Sequence, residues 1–149
     1  MIISVIGAGS CDEGVYAIAE KVGDLIARKG AILITGGLGG VMEAASKGAK
    51  QAGGTTVGIL PGSRKDEANP FIDIPITTGL SHARNVIVVR SADAVIAVSG
   101  EYGTLSEIGI ALKLGKPVVG LRTWDIEGVV KATSPEEAVE KAFELIKMH

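Results

Sequence analysis

Apolar residues recur along this chain in short runs set between longer segments of helical period. Residues 2–6, 31–35, 55–60, 94–98 and 116–121 are such runs. Each is long enough for a strand buried on both faces and too short for a helix. Between them, Val15, Ile18, Ala19, Val22, Leu25 and Ile26 share one face of a helix over about residues 12–28, with Gly30 placed to end it. A second helix, residues 41–49, is rich in small side chains and can lie close to a sheet; Gly53-Gly54 ends it. Helical period resumes at Thr104, with Ile108, Ala111 and Leu112 on one stripe and Lys113 and Lys116 near its end. The last helix opens on Ser134 as N-cap, Pro135 at its first position and Glu137 at its third, and docks through Ala138, Ala142, Leu145 and Ile146.

Residues 80–92 are locally ambiguous. Val86-Ile87-Val88-Val89 is β-branched and reads as strand. A strand placed directly before the one at residue 94 would leave no crossover between them, so the topology predicts a helix. Ile74-Pro75-Ile76-Thr77 is a short extended piece that Pro75 keeps out of the sheet centre, and residues 129–132 read as a last edge strand. Residues 63–73 are polar, carry Asn69-Pro70, and are the one candidate for a loop or lid. Strand and helix alternate throughout, which predicts an α/β fold: a Rossmann-like, doubly wound, mainly parallel sheet of about six or seven strands with helices on both faces. One domain over residues 1–149 is expected.

Glycine content points to a site. The chain holds 21 in 149 residues, well above the usual ~7%, and they gather at the C-ends of strands. Three turns result: Gly7-Ala8-Gly9-Ser10, Gly36-Gly37-Leu38-Gly39-Gly40 and Ser99-Gly100-Glu101-Tyr102-Gly103-Thr104. In a parallel sheet such ends carry the ligand. A strand, a glycine turn and a helix N-terminus make an anion site, because the first helical N–H groups have no partner in the helix. The candidate ligand-binding residues are therefore Gly7, Gly9, Ser10, Gly36, Gly37, Gly39, Gly40, Ser99, Gly100, Tyr102, Gly103 and Thr104. The competing reading of Thr104-Leu105-Ser106-Glu107 is a capping box in which Glu107 only satisfies a backbone N–H. A dinucleotide fingerprint is not expected. Asp12 stands where the third glycine of GxGxxG belongs, and the second strand ends in Thr35-Gly36-Gly37 rather than an acid.

Composition narrows the class further. The net charge is -2 and aromatics are 3% of the chain, which speaks against nucleic-acid binding. A single cysteine, Cys11, rules out an internal disulfide and a cysteine-cluster metal site, and no metal ligation is expected. Cys11 reads either as a small packing residue or as a thiolate at a helix N-terminus. His82 is alone and reads as packing or surface. The N-terminus enters an apolar strand without a signal-peptide pattern, and no apolar run approaches the ~20 residues of a membrane span, so a cytoplasmic protein is expected.

The motifs GGLGGVM at residues 36–42, Arg84, and SGEYGTLSE at residues 99–107 resemble the LONELY GUY superfamily, also labelled possible lysine decarboxylases. Within it they are most similar to the molybdenum cofactor carrier branch. The likeness runs from the first strand to Leu121. In the LONELY GUY enzymes a PGGxGTxxE loop holds a nucleotide phosphate, and its glutamate works with the arginine of an MxxRK motif. Together they split the N-glycosidic bond of a nucleoside 5′-monophosphate into free base and ribose 5-phosphate. The resemblance implies that Gly100, Gly103 and Thr104 hold phosphate, and that Glu107 and Arg84 are the catalytic pair; a hydrolase of this kind requires no cofactor. It also implies a homodimer or homotetramer, with the site near the subunit boundary. Two departures stand out: Ser99 and Glu101 replace the motif's proline and second glycine, and Ser81-His82-Ala83-Arg84-Asn85 lacks its methionine and lysine. A carboxylate at Glu101 is unfavourable beside a phosphate unless it turns away or meets a cation.

Three functions follow in order. The first is a binding protein for a phosphorylated nucleotide or a molybdopterin-type cofactor. The second is a nucleoside monophosphate phosphoribohydrolase. The third, a DNA-processing module of the DprA type, fits the charge balance least. Decarboxylation of lysine is not expected, since no pyridoxal-binding arrangement is visible.

Overall fold

Each apolar run becomes a strand of one sheet, and every neighbouring pair in it is parallel. The computed structural model describes residues 1–148. The strands are β1 (Ile2–Gly7), β2 (Ile32–Thr35), β3 (Thr56–Leu60), β4 (Ile74–Thr77), β5 (Ala94–Val98), β6 (Val118–Leu121) and β7 (Val129–Ala132). Their order is β4-β3-β2-β1-β5-β6-β7. All five residues of β5 and all four of β6 are buried, as expected of strands covered on both faces. β4 lies at one edge, where Pro75 removes a donor that a central strand would need.

Helices α1 (Glu13–Arg28), α2 (Val41–Gln51) and α5 (Pro135–Lys147) cover one face, over Ile3, Val5, Leu33, Ile96 and Val119. Helices α3 (Arg84–Arg90) and α4 (Tyr102–Lys113) cover the other, over Ile6, Ile34, Val95 and Ala97. Residues 80–92 are thus helical, as the topology required, after a 3₁₀ turn at Ser81–Ala83. The Ser4 hydroxyl donates to Val88 O at 2.5 Å and ties α3 to the central strand.

The alternation of strand and helix is not continuous. Residues 122–128 join β6 to the parallel β7 with no helix, and residues 61–73 join β3 to β4 with only a 3₁₀ turn at Lys65–Glu67. Seven residues are too few for a helical crossover; Trp124 and Ile126 cover that face instead. The 63–73 segment is no lid. Asn69 Nδ2 donates to Leu38 O at 2.8 Å, and Asn69 N donates to Gly37 O at 2.9 Å, which pins the segment beside the second glycine turn.

Two glycines set the crossing of α1 and α2. A Cβ on Gly23 would strike the backbone of Ala45, and one on Gly48 would strike the backbone of Glu20. The last helix begins as its sequence predicts, with Ser134 Oγ accepting from Glu137 N at 3.1 Å. Ser134→Ala is expected to cost about 1 kcal/mol. That is a fall in Tm of roughly 2–4 °C, measurable by calorimetry.

Candidate functional site

The chain winds outward from β1 through β2 and β3 to β4, then returns to the other side of β1 as β5. Connections leave β1 and β5 in opposite directions, so a crevice opens over their C-ends. A cavity of about 300 Å³ lies there. Its floor is the end of β1 and the turn after it, Val5 to Ser10. Gly36 and Met42 form one wall, His82, Arg84 and Asn85 a second, and Glu101, Gly103, Thr104 and Glu107 a third.

The third wall is the start of α4. This helix begins at Tyr102, two residues before the position read from the sequence. The chain enters it through a strained turn: Ser99 has φ 51 and Gly100 φ 107, and a Cβ on Gly100 would strike the Thr104 side chain. Neighbouring residues hold the turn from outside. Ser99 N donates to Leu121 O at 2.9 Å and Thr123 Oγ1 to Ser99 O at 2.6 Å. Trp124 Nε1 donates to Glu101 O at 3.1 Å. Trp124 is therefore a brace on the far side of the turn and does not line the cavity. At Gly103 a Cβ would meet nothing within 4 Å, and its φ is not left-handed. Neither conformation nor internal packing explains this glycine, which costs a helix about 1 kcal/mol relative to alanine. It leaves the first turn of α4 open to close approach from the cavity.

The capping box does not form. Glu101 is the N-cap, its side chain caps nothing, and Glu107 is 7% exposed with its carboxyl on the cavity. No fully buried polar atom lacks a partner among the described residues, yet Glu107 has neither a side-chain hydrogen bond nor an ion pair there. Its oxygens must therefore open onto the cavity. Burial pushes its acid up to about 8, against the opposing pull of Arg84.

Arg84 lies across from it. Its Nε donates to Ile59 O at 2.9 Å, its Nη2 reaches Gly36 O at 3.4 Å, and its Nη1 bonds Asn85 Oδ1. The guanidinium thus braces the ends of β2 and β3 while lining the cavity. Burial holds it below the ordinary arginine value, and Glu107 partly offsets that.

The structure brings Gly7, Gly9, Ser10, Gly36, Arg84, Gly103, Thr104 and Glu107 to one cavity. Ser99, Gly100 and Tyr102 shape the turn without lining it, and the Tyr102 ring is 81% exposed, 6.0 Å from that of Trp124. Gly37, Gly39 and Gly40 stand outside as well, each with an internal reason to be glycine. At Gly37 a Cβ would come within 2.6 Å of the Leu60 side chain, and at Gly39 within 2.9 Å of Gly9 O. Gly40 has φ 61, and a Cβ there would press on the backbone of residues 8–10. Close packing of the second turn against β3 at Gly37, and against the first turn at Gly39 and Gly40, accounts for these three. Gly36 does face the cavity, packed under Arg84 and Met42.

His82, Asn85, Met42 and Ala8 line the cavity beyond the residues expected from sequence, and Glu101 joins them. Flanking Arg84 in sequence was the signal available for His82 and Asn85. Cys11 is half-buried, and burial, then Asp12 and Glu43, raise its thiol, which fits packing rather than a thiolate. Among the described residues no helix is long and apolar enough to cross a membrane, and no three His, Cys, Asp or Glu side chains are grouped to hold a metal ion.

An all-parallel sheet with its cavity over the strand-order reversal defines a Rossmann-like α/β protein. The chain belongs to the SLOG cluster4 family, whose model matches residues 1–147. It is similar to the molybdenum cofactor binding protein of Rippkaea orientalis, with 42% identity, a TM-score of 0.92, and 97% of this chain and 96% of that one covered. The Moco carrier protein of Chlamydomonas reinhardtii gives 40% identity and a TM-score of 0.90, over 99% of this chain and 98% of the other. The cytokinin riboside 5′-monophosphate phosphoribohydrolase of Mycobacterium tuberculosis is 34% identical over 117 residues, covering 72% of this chain and 62% of that protein.

Proposed function

We propose that this chain is a binding protein for a phosphorylated, molybdenum-cofactor-type ligand, with the phosphate on the first turn of α4. Gly103 carries the reading: it is a glycine with no reason inside the chain, at a helix N-terminus, facing the cavity. Gly9 and Ser10 offer backbone from the opposite side, and Thr104 adds the next N–H. Glu107 supplies a carboxyl that opens onto the cavity with no protein hydrogen-bond partner, and so is free to bond the ligand. Whole-length likeness to two molybdenum cofactor proteins supports the choice of ligand class. A pterin ring brings hydrogen-bonding edges, and its phosphate brings the charge that α4 favours. The protein is cytoplasmic, and a homodimer or homotetramer, in this reading. The test is to mix purified chain with cofactor released from a molybdoenzyme, gel-filter it, and measure metal. Stoichiometric molybdenum in the protein peak is expected; molybdenum only in the small-molecule fraction would contradict the proposal.

A second reading is hydrolysis of a nucleoside 5′-monophosphate. It is favoured by Arg84 and Glu107 facing one cavity, together with the phosphoribohydrolase similarity. A carboxylate there would steady the developing oxocarbenium ion, and only the ionised form does so. Its acid titrates at about 8, so any cleavage of AMP should rise with pH through that value. Chromatography of AMP incubated with the protein at pH 6 and pH 9 decides it. Free adenine that increases at the higher pH supports the hydrolase, and intact AMP at both supports binding alone.

A further inference from the structure

We propose that the phosphorylated ligand is held together with a divalent cation shared between its phosphate and Glu101. The inference rests on the phosphate reading of the cavity. Glu101 is the N-cap of α4 and lines the cavity beside Gly103 and Thr104, which puts a carboxylate-bearing residue at the mouth where the phosphate would enter. Its backbone is fixed, since its carbonyl accepts from both Trp124 Nε1 and Leu105 N. Its side chain caps nothing and pairs with no cation among the described residues. Arg122, on the bracing loop, makes no ion pair with it either.

Two negative groups about 5 Å apart repel by roughly 1 kcal/mol in water and by several times that in a half-closed site. The cavity holds little to offset this. Arg84 is its one Lys or Arg among the described residues, with His82 beside it, and three of the five guanidinium N–H groups already serve Ile59 O, Gly36 O and Asn85 Oδ1. Glu107, unpartnered and 7% exposed, independently marks the same space as one that takes a ligand. A hard divalent cation resolves the conflict. Magnesium commonly binds through one or two carboxylates plus a substrate phosphate and keeps its remaining waters. The described residues offer no three-ligand metal site, so the cation arrives with the phosphate rather than before it.

The test uses the full chain, with inorganic phosphate and AMP as probes, titrated calorimetrically in excess magnesium chloride or in EDTA. Wild-type protein is expected to bind at least about tenfold more tightly with magnesium, equivalent to about 1.4 kcal/mol. Glu101→Gln is expected to bind equally in both conditions, and in EDTA at least as tightly as wild type. Glu101 is exposed, so the variant should keep the parent Tm. Manganese, followed by electron paramagnetic resonance, should be captured by wild type only when a probe is present. Equal wild-type affinity in both conditions, or magnesium dependence that survives in Glu101→Gln, would overturn the shared cation and leave the phosphate site standing. Binding of neither probe under any condition would remove the phosphate site and this inference together.

Discussion

Replacing Glu107 by Gln is expected to raise the stability of the protein at pH 9 and to leave it nearly unchanged at pH 5. The unfolded carboxyl ionises near 4.5, whereas in the fold burial holds the acid to about 8. Between those values the folded chain keeps a proton that the unfolded chain has released. This group's contribution is therefore fully present below the unfolded value and is lost as pH rises through about 8. Each pKa unit corresponds to roughly 1.4 kcal/mol, so the whole shift sets a ceiling of about 5 kcal/mol, with about 2–4 kcal/mol expected after local relaxation. Gln keeps the shape and never ionises. Thermal unfolding at the two pH values should show a gain of roughly 5–10 °C at the higher one. An equal gain at both would mean that the carboxyl is not held neutral by its surroundings.

Gly23→Ala and Gly48→Ala are each expected to destabilise the fold by about 2–3 kcal/mol. An alanine in a helix is ordinarily worth about 1 kcal/mol over glycine. Here the added methyl lands on the backbone of the facing helix, Ala45 for Gly23 and Glu20 for Gly48. Backbone cannot rotate aside as a side chain can, so the helices must separate and the packing of Ala19, Val22, Ala44 and Ala45 loosens. Denaturant unfolding should show a lower midpoint with an unchanged slope. Gly109 supplies the control: it is helical, and a Cβ on it would meet nothing within 4 Å. Gly109→Ala should stabilise slightly, and a similar loss there would contradict the close-packing account.

Much of the fold was legible because the sheet is parallel and covered on both faces. Continuous apolar runs marked β1, β2, β3, β5 and β6 with little ambiguity. Residues 86–89 looked like strand, and only connectivity made them α3. Helix-free crossovers were not legible, because the short 122–128 segment gives no sign of where its two strands lie. At the candidate site, the residue types were readable and their directions were not. Thr104 to Glu107 fits a capping box on paper, but α4 starts at Tyr102, and this turns Glu107 into the cavity. The glycines at 37, 39 and 40 looked like a ligand loop. They owe their identity to contacts with Leu60 and the 8–10 turn, which no local pattern reveals. Gly103 is the reverse case, a glycine that only the surrounding space distinguishes.

Amide shifts in an ¹⁵N-labelled sample locate the phosphate directly. Titration with AMP and with inorganic phosphate is predicted to move the Gly103 and Thr104 amides most, with Gly9 and Ser10 next. Shifts that spare α4's first turn and gather instead along the outer face of α1, around Glu20 and Asp24, would contradict that placement.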